Sequence, residues 1–122
     1  MSDGGSVNLA APAAEAAGRE GVIWTLGESE DLNANLVSFS TGEGVGEHLN
    51  DEVDVIFLGV YGSGVVNVDG EDLHLSKGNL VFVPKGARRS TRSVSEDFAY
   101  LTVHRRRGPL RIGKDRKIGV EA

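Results

Sequence analysis

Short β-favouring runs, cut at close intervals by glycine, constrain this chain more than any other feature. Glycine accounts for 17 of its 122 residues. The runs between these breaks read as strands at Val22–Leu26, Leu36–Ser40, Val53–Tyr61, Val65–Val68, Leu73–Leu75, Leu80–Val83 and Phe98–His104. No window of helical length carries a 3.6-residue apolar period; only the Ala-rich start, NLAAPAAEAAG, has helix-forming composition. The sharpest local signal is NVDGED. Asp69-Gly70 between two β-rich runs predicts a type I′ turn and a tight hairpin. Gly62-Ser63-Gly64 reads as a further turn or bulge. Pro84-Lys85-Gly86 ends the Leu80–Val83 strand, because proline cannot donate to a central ladder. The class is all-β, a sandwich or barrel.

Val53–Tyr61 is apolar on both faces, with Val53, Val55 and Phe57 on one and Ile56, Leu58 and Val60 on the other. One face can fill a barrel and the other needs a cover, from a second sheet or a second subunit. A homodimer is the expectation. The length suits one domain with a real core. Residues 1–18 read as a flexible or loosely docked tail and 19–122 as a barrel with a basic C-terminal extension. There is no cysteine, so disulfides and thiolate metal sites are unavailable. No apolar run reaches the roughly 20 residues that span a bilayer, so no membrane partner is expected. The Ala-rich start lacks a basic n-region and is interrupted by Pro12 and Glu15, unlike a secretory signal. A soluble cytoplasmic protein is the expectation.

The net charge of −5 is unevenly spread. Residues 1–84 carry 14 acidic and 2 basic side chains, whereas residues 85–122 carry 11 basic and 4 acidic ones. Such asymmetry can mark a nucleic-acid-binding tail. Here the basic residues are interleaved with strand-like sequence, which fits pairing within one fold or across a dimer. Arg105-Arg106-Arg107 has no interleaved aromatics and reads as a solvated strand end, or as a partner for acidic loops such as Glu28–Asp31. No nucleic-acid partner is expected.

Two stretches carry a family resemblance, Gly42–Gly62 (GEGVGEHLNDEVDVIFLGVYG) and Gly78–Ser90 (GNLVFVPKGARRS). Their glycine and proline framework resembles the two motifs of a small single-domain cupin, a double-sheet jelly roll. The first motif runs G-x5-H-x-H-x3-4-E-x6-G. Gly42 and His48 fit it, Asn50 stands at the second histidine, and Asp54 replaces the glutamate, with Gly62 closing the motif one residue late. An alternative register uses Glu52 and Gly59. The second motif runs G-x5-P-x-G-x2-H-x3-N. Gly78, Pro84 and Gly86 fit, while Arg89 occupies the third histidine position and Ser93 the final asparagine. The resemblance covers about Leu32 to Arg105.

In cupins, three imidazoles and a carboxylate usually hold a transition metal, for which such ligands are suited. Asparagine is a weak neutral ligand, and a guanidinium offers only donors. The resemblance therefore implies the barrel without a standard metal site, and no cofactor is expected. It implies a pocket lined by His48, Asn50, Glu52, Asp54, Arg89 and His104, with Arg89 paired to Asp54 or Glu52. Such a pocket suits a small polar or anionic molecule, since arginine presents a planar fork to carboxylate or phosphate. A metal-independent isomerase or epimerase is the alternative, with His48 as base beside a carboxylate and Tyr61 or Tyr100 as a possible acid. A metal-dependent dioxygenase or isomerase built on His48, Glu52 or Asp54, and His104 is a third. His74 reads as a surface residue, and Trp24 and Phe39 as core.

Overall fold

The computed structural model describes residues 4–16, 18–27 and 29–106. Among these residues nine strands form two antiparallel sheets: β1 (Gly21–Thr25), β2 (Leu32–Ser40), β3 (Gly44–Leu49), β4 (Val55–Tyr61), β5 (Ser63–Val68), β6 (Glu71–Ser76), β7 (Leu80–Val83), β8 (Arg88–Ser93) and β9 (Asp97–Arg105). One sheet has the order β1-β2-β9-β4-β7 and the other β3-β8-β5-β6. The all-β class is the one the glycine spacing predicts, and the jelly roll is what the family resemblance implies.

Local chemistry accounts for most of the elements. Asp69 (φ 50°) and Gly70 (φ 92°) both lie in the left-handed region, the signature of a type I′ turn. They join β5 to β6 with Val68 opposite Glu71, and the Asn67 side chain accepts the Gly70 N–H at 3.0 Å. The β7 strand stops at Val83, before Pro84.

Two strands depart from the sequence expectation. The β8 strand, RRSTRS, has no apolar residue, yet Arg89, Thr91 and Ser93 are its buried face. The β3 strand, GVGEHL, is broken by two glycines and carries a register shift between Val45 and His48. Apolar periodicity cannot find either. Strand β2 also starts earlier than expected, at Leu32, pairing with β9 along its whole length.

Between the sheets, Val37, Val53, Val55, Phe57, Val66, Leu75, Val81, Val83, Ala87, Phe98 and Tyr100 form one buried cluster. Tyr100 lies 5.5 Å from Phe57 and 5.1 Å from Phe98, centroid to centroid. Each such apolar side chain contributes about 1.5–3 kcal/mol on burial, so the packed end of the barrel dominates the stability. Along the inward rows the character changes from one end to the other. On β9 it runs Phe98, Tyr100, Thr102, His104, and on β2 it runs Phe39, Val37, Asn35. One end is therefore a core and the other a polar-rimmed cavity.

The outer face of the larger sheet is covered in part by the chain itself. Within the stretch expected to be a tail, Ala10–Glu15 form a short helix, α1. Its Ala13 is buried with Leu36 and Ala99, beside Leu9, Ile23, Trp24, Val60 and Leu101. Further toward the β7 edge, Ile56, Leu80 and Phe82 stay exposed. At the end of β9, Arg106 binds the backbone of the Ser29–Asp31 loop: its Nε donates to the Ser29 carbonyl at 2.6 Å and its N–H to the Asp31 carbonyl at 2.7 Å. Most of the basic C-terminal extension lies outside the described residues.

Candidate functional site

A cavity of about 200 Å³ lies between the sheets at the polar end of the barrel. Val22, Val37, Phe39, Val45, Val55 and Phe57 supply apolar wall, and Asn35, His48, Arg89, Thr91, Tyr100, Thr102 and His104 supply polar groups. Of the six residues expected to form the pocket, His48, Arg89 and His104 line it. Asn50, Glu52 and Asp54 do not.

The reason lies in the loops. Asn50 is buried, but its side chain organises the β3–β4 connection: its Nδ2 donates to the Val53 carbonyl at 3.0 Å, and its Oδ1 accepts the Glu52 N–H at 3.0 Å. Its own carbonyl accepts the Gly86 N–H at 2.8 Å. Asp54 Oδ1 accepts the Lys85 N–H at 2.9 Å. These two residues thus tie the loop of the first motif to the Pro84–Gly86 turn of the second. Glu52 is exposed, and its carbonyl accepts an Arg105 N–H at 3.0 Å. Of the two carboxylates expected to pair with Arg89, Asp54 is therefore engaged with the turn instead. The Asp54 carboxylate satisfies a turn N–H, a lower-cost arrangement than carrying a charge into the barrel. His74 is exposed, as expected.

Arg89 enters the cavity from β8. It is only 6% exposed, and its guanidinium carbon lies 5.6 Å from the centroid of the Phe57 ring, within cation–π range. The ring gives the fork a fixed platform. His48 is the direct cross-strand partner of Arg89. Its Nδ1 lies 3.0 Å from the Gly46 carbonyl, which can only accept, so that nitrogen carries the proton in the neutral ring. Its Nε2 is fully buried and has no hydrogen-bond partner. His104 is buried, with Nδ1 2.7 Å from the Arg105 carbonyl. Burial pushes the Tyr100 phenol up to about 12, while hydrogen bonding to Thr91 and the positive charge of Arg89 pull the other way. Tyr100 is thus a neutral hydroxyl throughout the physiological range.

Sequence reasoning did not place Thr91, Thr102 or Phe57 in the site, and it named Tyr100 only as a possible acid. Strand alternation from His104 puts Thr102 and Tyr100 on the same face, and alternation from Arg89 reaches Thr91. That signal was present in the sequence.

These features define a class: a double-sheet β-barrel with a small internal pocket at one end. Residues 35–104 match the cupin domain family, and the chain belongs to it. It is similar to an uncharacterised protein of Aquifex aeolicus (strain VF5), at 32% identity over 90 residues, covering 74% of this chain and 70% of that protein. Among solved structures it is similar in fold to KdgF from Halomonas sp., with a TM-score of 0.64 and 24% identity over 70% of this chain and 77% of that one. It is also similar to BH2720 from Bacillus halodurans, with a TM-score of 0.69 and 17% identity over 85% and 83% of the two chains.

The side chains present do not fit a cupin's transition metal. Of the four positions that would supply ligands, Asn50 and Asp54 hold loop backbone, and Arg89 brings a permanent cation to the wall. Of the four, His48 keeps a buried acceptor, its Nε2. Among the described residues no three His, Asp or Glu side chains converge.

Proposed function

We propose that this cupin binds a small carboxylate-bearing molecule, held by the Arg89 fork on the Phe57 ring. The observation that carries this reading is Arg89, 6% exposed, on the wall of a small cavity with its guanidinium over the Phe57 ring. A buried cation of that kind gains most from an anion that meets two of its N–H groups. The cavity, at about 200 Å³, is below the roughly 300–1,000 Å³ of sites for drug-sized ligands, so the partner is a compact molecule. The metal-free isomerase reading would use His48 as base and Tyr100 as acid. An efficient acid has a pKa near the working pH, and burial moves Tyr100 away from it, which favours binding over proton transfer. Titration calorimetry with short carboxylates tests the proposal. Arg89→Met should weaken binding by at least about tenfold, and unchanged affinity in that variant would refute it.

The outer face supports a second copy as partner. Ile56 pairs with Phe82 and Leu58 with Leu80 across β4 and β7, and Leu80 and Phe82 are 57% and 53% exposed at the sheet edge. A two-fold contact through this face would bury them. Light scattering on the parent and on Phe82→Lys should give dimer and monomer respectively, and a monomeric parent at micromolar concentration would refute the contact.

A further inference from the structure

Resting on the carboxylate reading above, we propose that the pocket selects α-hydroxy carboxylates with a short apolar side chain over the corresponding simple acids and amino acids.

The selecting atom is His48 Nε2. Its ring is oriented by Nδ1 against the Gly46 carbonyl at 3.0 Å, which leaves Nε2 of the neutral ring as an acceptor. That acceptor is fully buried and has no partner. A buried acceptor without a donor costs free energy that a ligand N–H or O–H returns. The ligand must therefore bring a donor to His48 as well as an anion to Arg89.

The spacing between the two requirements is short. His48 and Arg89 face each other across β3 and β8, and directly opposed residues hold their Cβ atoms about 5 Å apart. Both side chains thus leave neighbouring points of one wall and line the same small cavity, so adjacent groups of one compact ligand can serve His48 and Arg89. A hydroxyl on the carbon next to a carboxylate has that geometry. An α-ammonium group has a similar reach, but its positive charge would sit beside the Arg89 guanidinium, and like charges at short range repel. A hydroxyl is therefore preferred to an amine. The apolar part of the lining includes Val37, Val55 and Phe57, which suits a branched or short aliphatic side chain.

Three nearly isosteric probes separate the contributions: α-hydroxyisovalerate, isovalerate and valine, each titrated into the purified full chain by calorimetry at one pH. The expected order is α-hydroxyisovalerate tighter than isovalerate by about tenfold, with valine no tighter than isovalerate. In His48→Asn, whose side-chain amide can still donate toward the Gly46 carbonyl, the ratio of hydroxy-acid affinity to isovalerate affinity should fall to within about twofold. Equal binding of α-hydroxyisovalerate and isovalerate to the parent overturns this inference and leaves the carboxylate reading standing. A preference that survives intact in a folded His48→Asn also overturns it. If none of the three probes binds the parent at millimolar concentration, the carboxylate reading falls and this inference falls with it.

Discussion

Replacing Gly59 with alanine should come close to unfolding the barrel, for a reason visible in one contact. Gly59 lies on the inward face of β4, where the end of β6 crosses close against it. A Cβ built there would lie 1.9 Å from the Ser76 carbonyl oxygen and 2.4 Å from its carbon, whereas ordinary contacts start at 3.4 Å. The obstruction is backbone, so no side chain can rotate away, and the two strands must separate by more than about an ångström. Both backbone hydrogen bonds of Gly59 lie across that gap: its N–H donates to the Asn79 carbonyl at 2.9 Å, and its carbonyl accepts the Gly78 N–H at 3.1 Å. Losing the two costs about 1 kcal/mol each, and overpacking adds about 1–3 kcal/mol. The expected loss is about 3–5 kcal/mol, a large part of the roughly 5–15 kcal/mol that holds a domain folded. Urea unfolding followed by tryptophan fluorescence measures it through the midpoint at constant slope. Gly46→Ala is the control. Nothing lies within 4 Å of its added Cβ, and its stability should stay within about 0.5 kcal/mol of the parent. A Gly59→Ala loss below about 1 kcal/mol, with the control neutral, would refute the argument from close approach.

Three further outcomes follow from the site. Tyr100, raised from 10.0 to about 12 by burial, favours the folded state only while neutral. Its contribution is complete below pH 10 and is lost as pH climbs through about 12, amounting to about 3 kcal/mol. Urea midpoints of the parent should thus fall more steeply over that range than those of Tyr100→Phe, and parallel curves would contradict this. Asn50→Ala leaves the Val53 carbonyl and the Glu52 N–H without their partner and should cost about 1–3 kcal/mol in thermal or urea unfolding. Arg89→His places a third imidazole on the wall that already carries His48 and His104 and removes the competing cation. It should gain more thermal stability from added zinc or nickel than the parent does, and an equal shift in both would count against the reading of the altered ligand set.

The fold was legible wherever side-chain chemistry and backbone demand coincide. The Asp69-Gly70 turn announces its own conformation, and the two-faced apolar run of β4 can only be a strand between two layers. Strand β8 was illegible for the opposite reason. Its inward residues are all polar, Arg89 and Thr91 lining the cavity and Ser93 donating its hydroxyl to the Ser95 carbonyl at 2.8 Å, so the apolar period that reveals a strand is absent. The α1 helix is six residues long, too short to show an amphipathic period, and its burial depends on small Ala13 fitting against Ala99 and Leu36.

The same distinction separates the expected residues that line the cavity from those that do not. His48, Arg89 and His104 sit within strands, where a position in the sequence fixes which face a side chain takes. Asn50 and Asp54 sit in or at the edge of the loop between β3 and β4, where the backbone has N–H and C=O groups to satisfy and a short polar side chain is a ready partner. Once an imidazole and a longer carboxylate are replaced by asparagine and aspartate, the shorter side chains are captured by that local backbone. The Gly/Pro framework of the two motifs shapes the loops, and Asn50 and Asp54, at positions where the family motif has ligands, hold those loops together. Metal chemistry is therefore not restored by changing position 50 alone: Asn50→His would remove the acceptor for the Glu52 N–H and the donor to the Val53 carbonyl before it offered a ligand. Strand position 89, whose side chain already enters the cavity, is where the chemistry of this barrel can be changed without dismantling its loops.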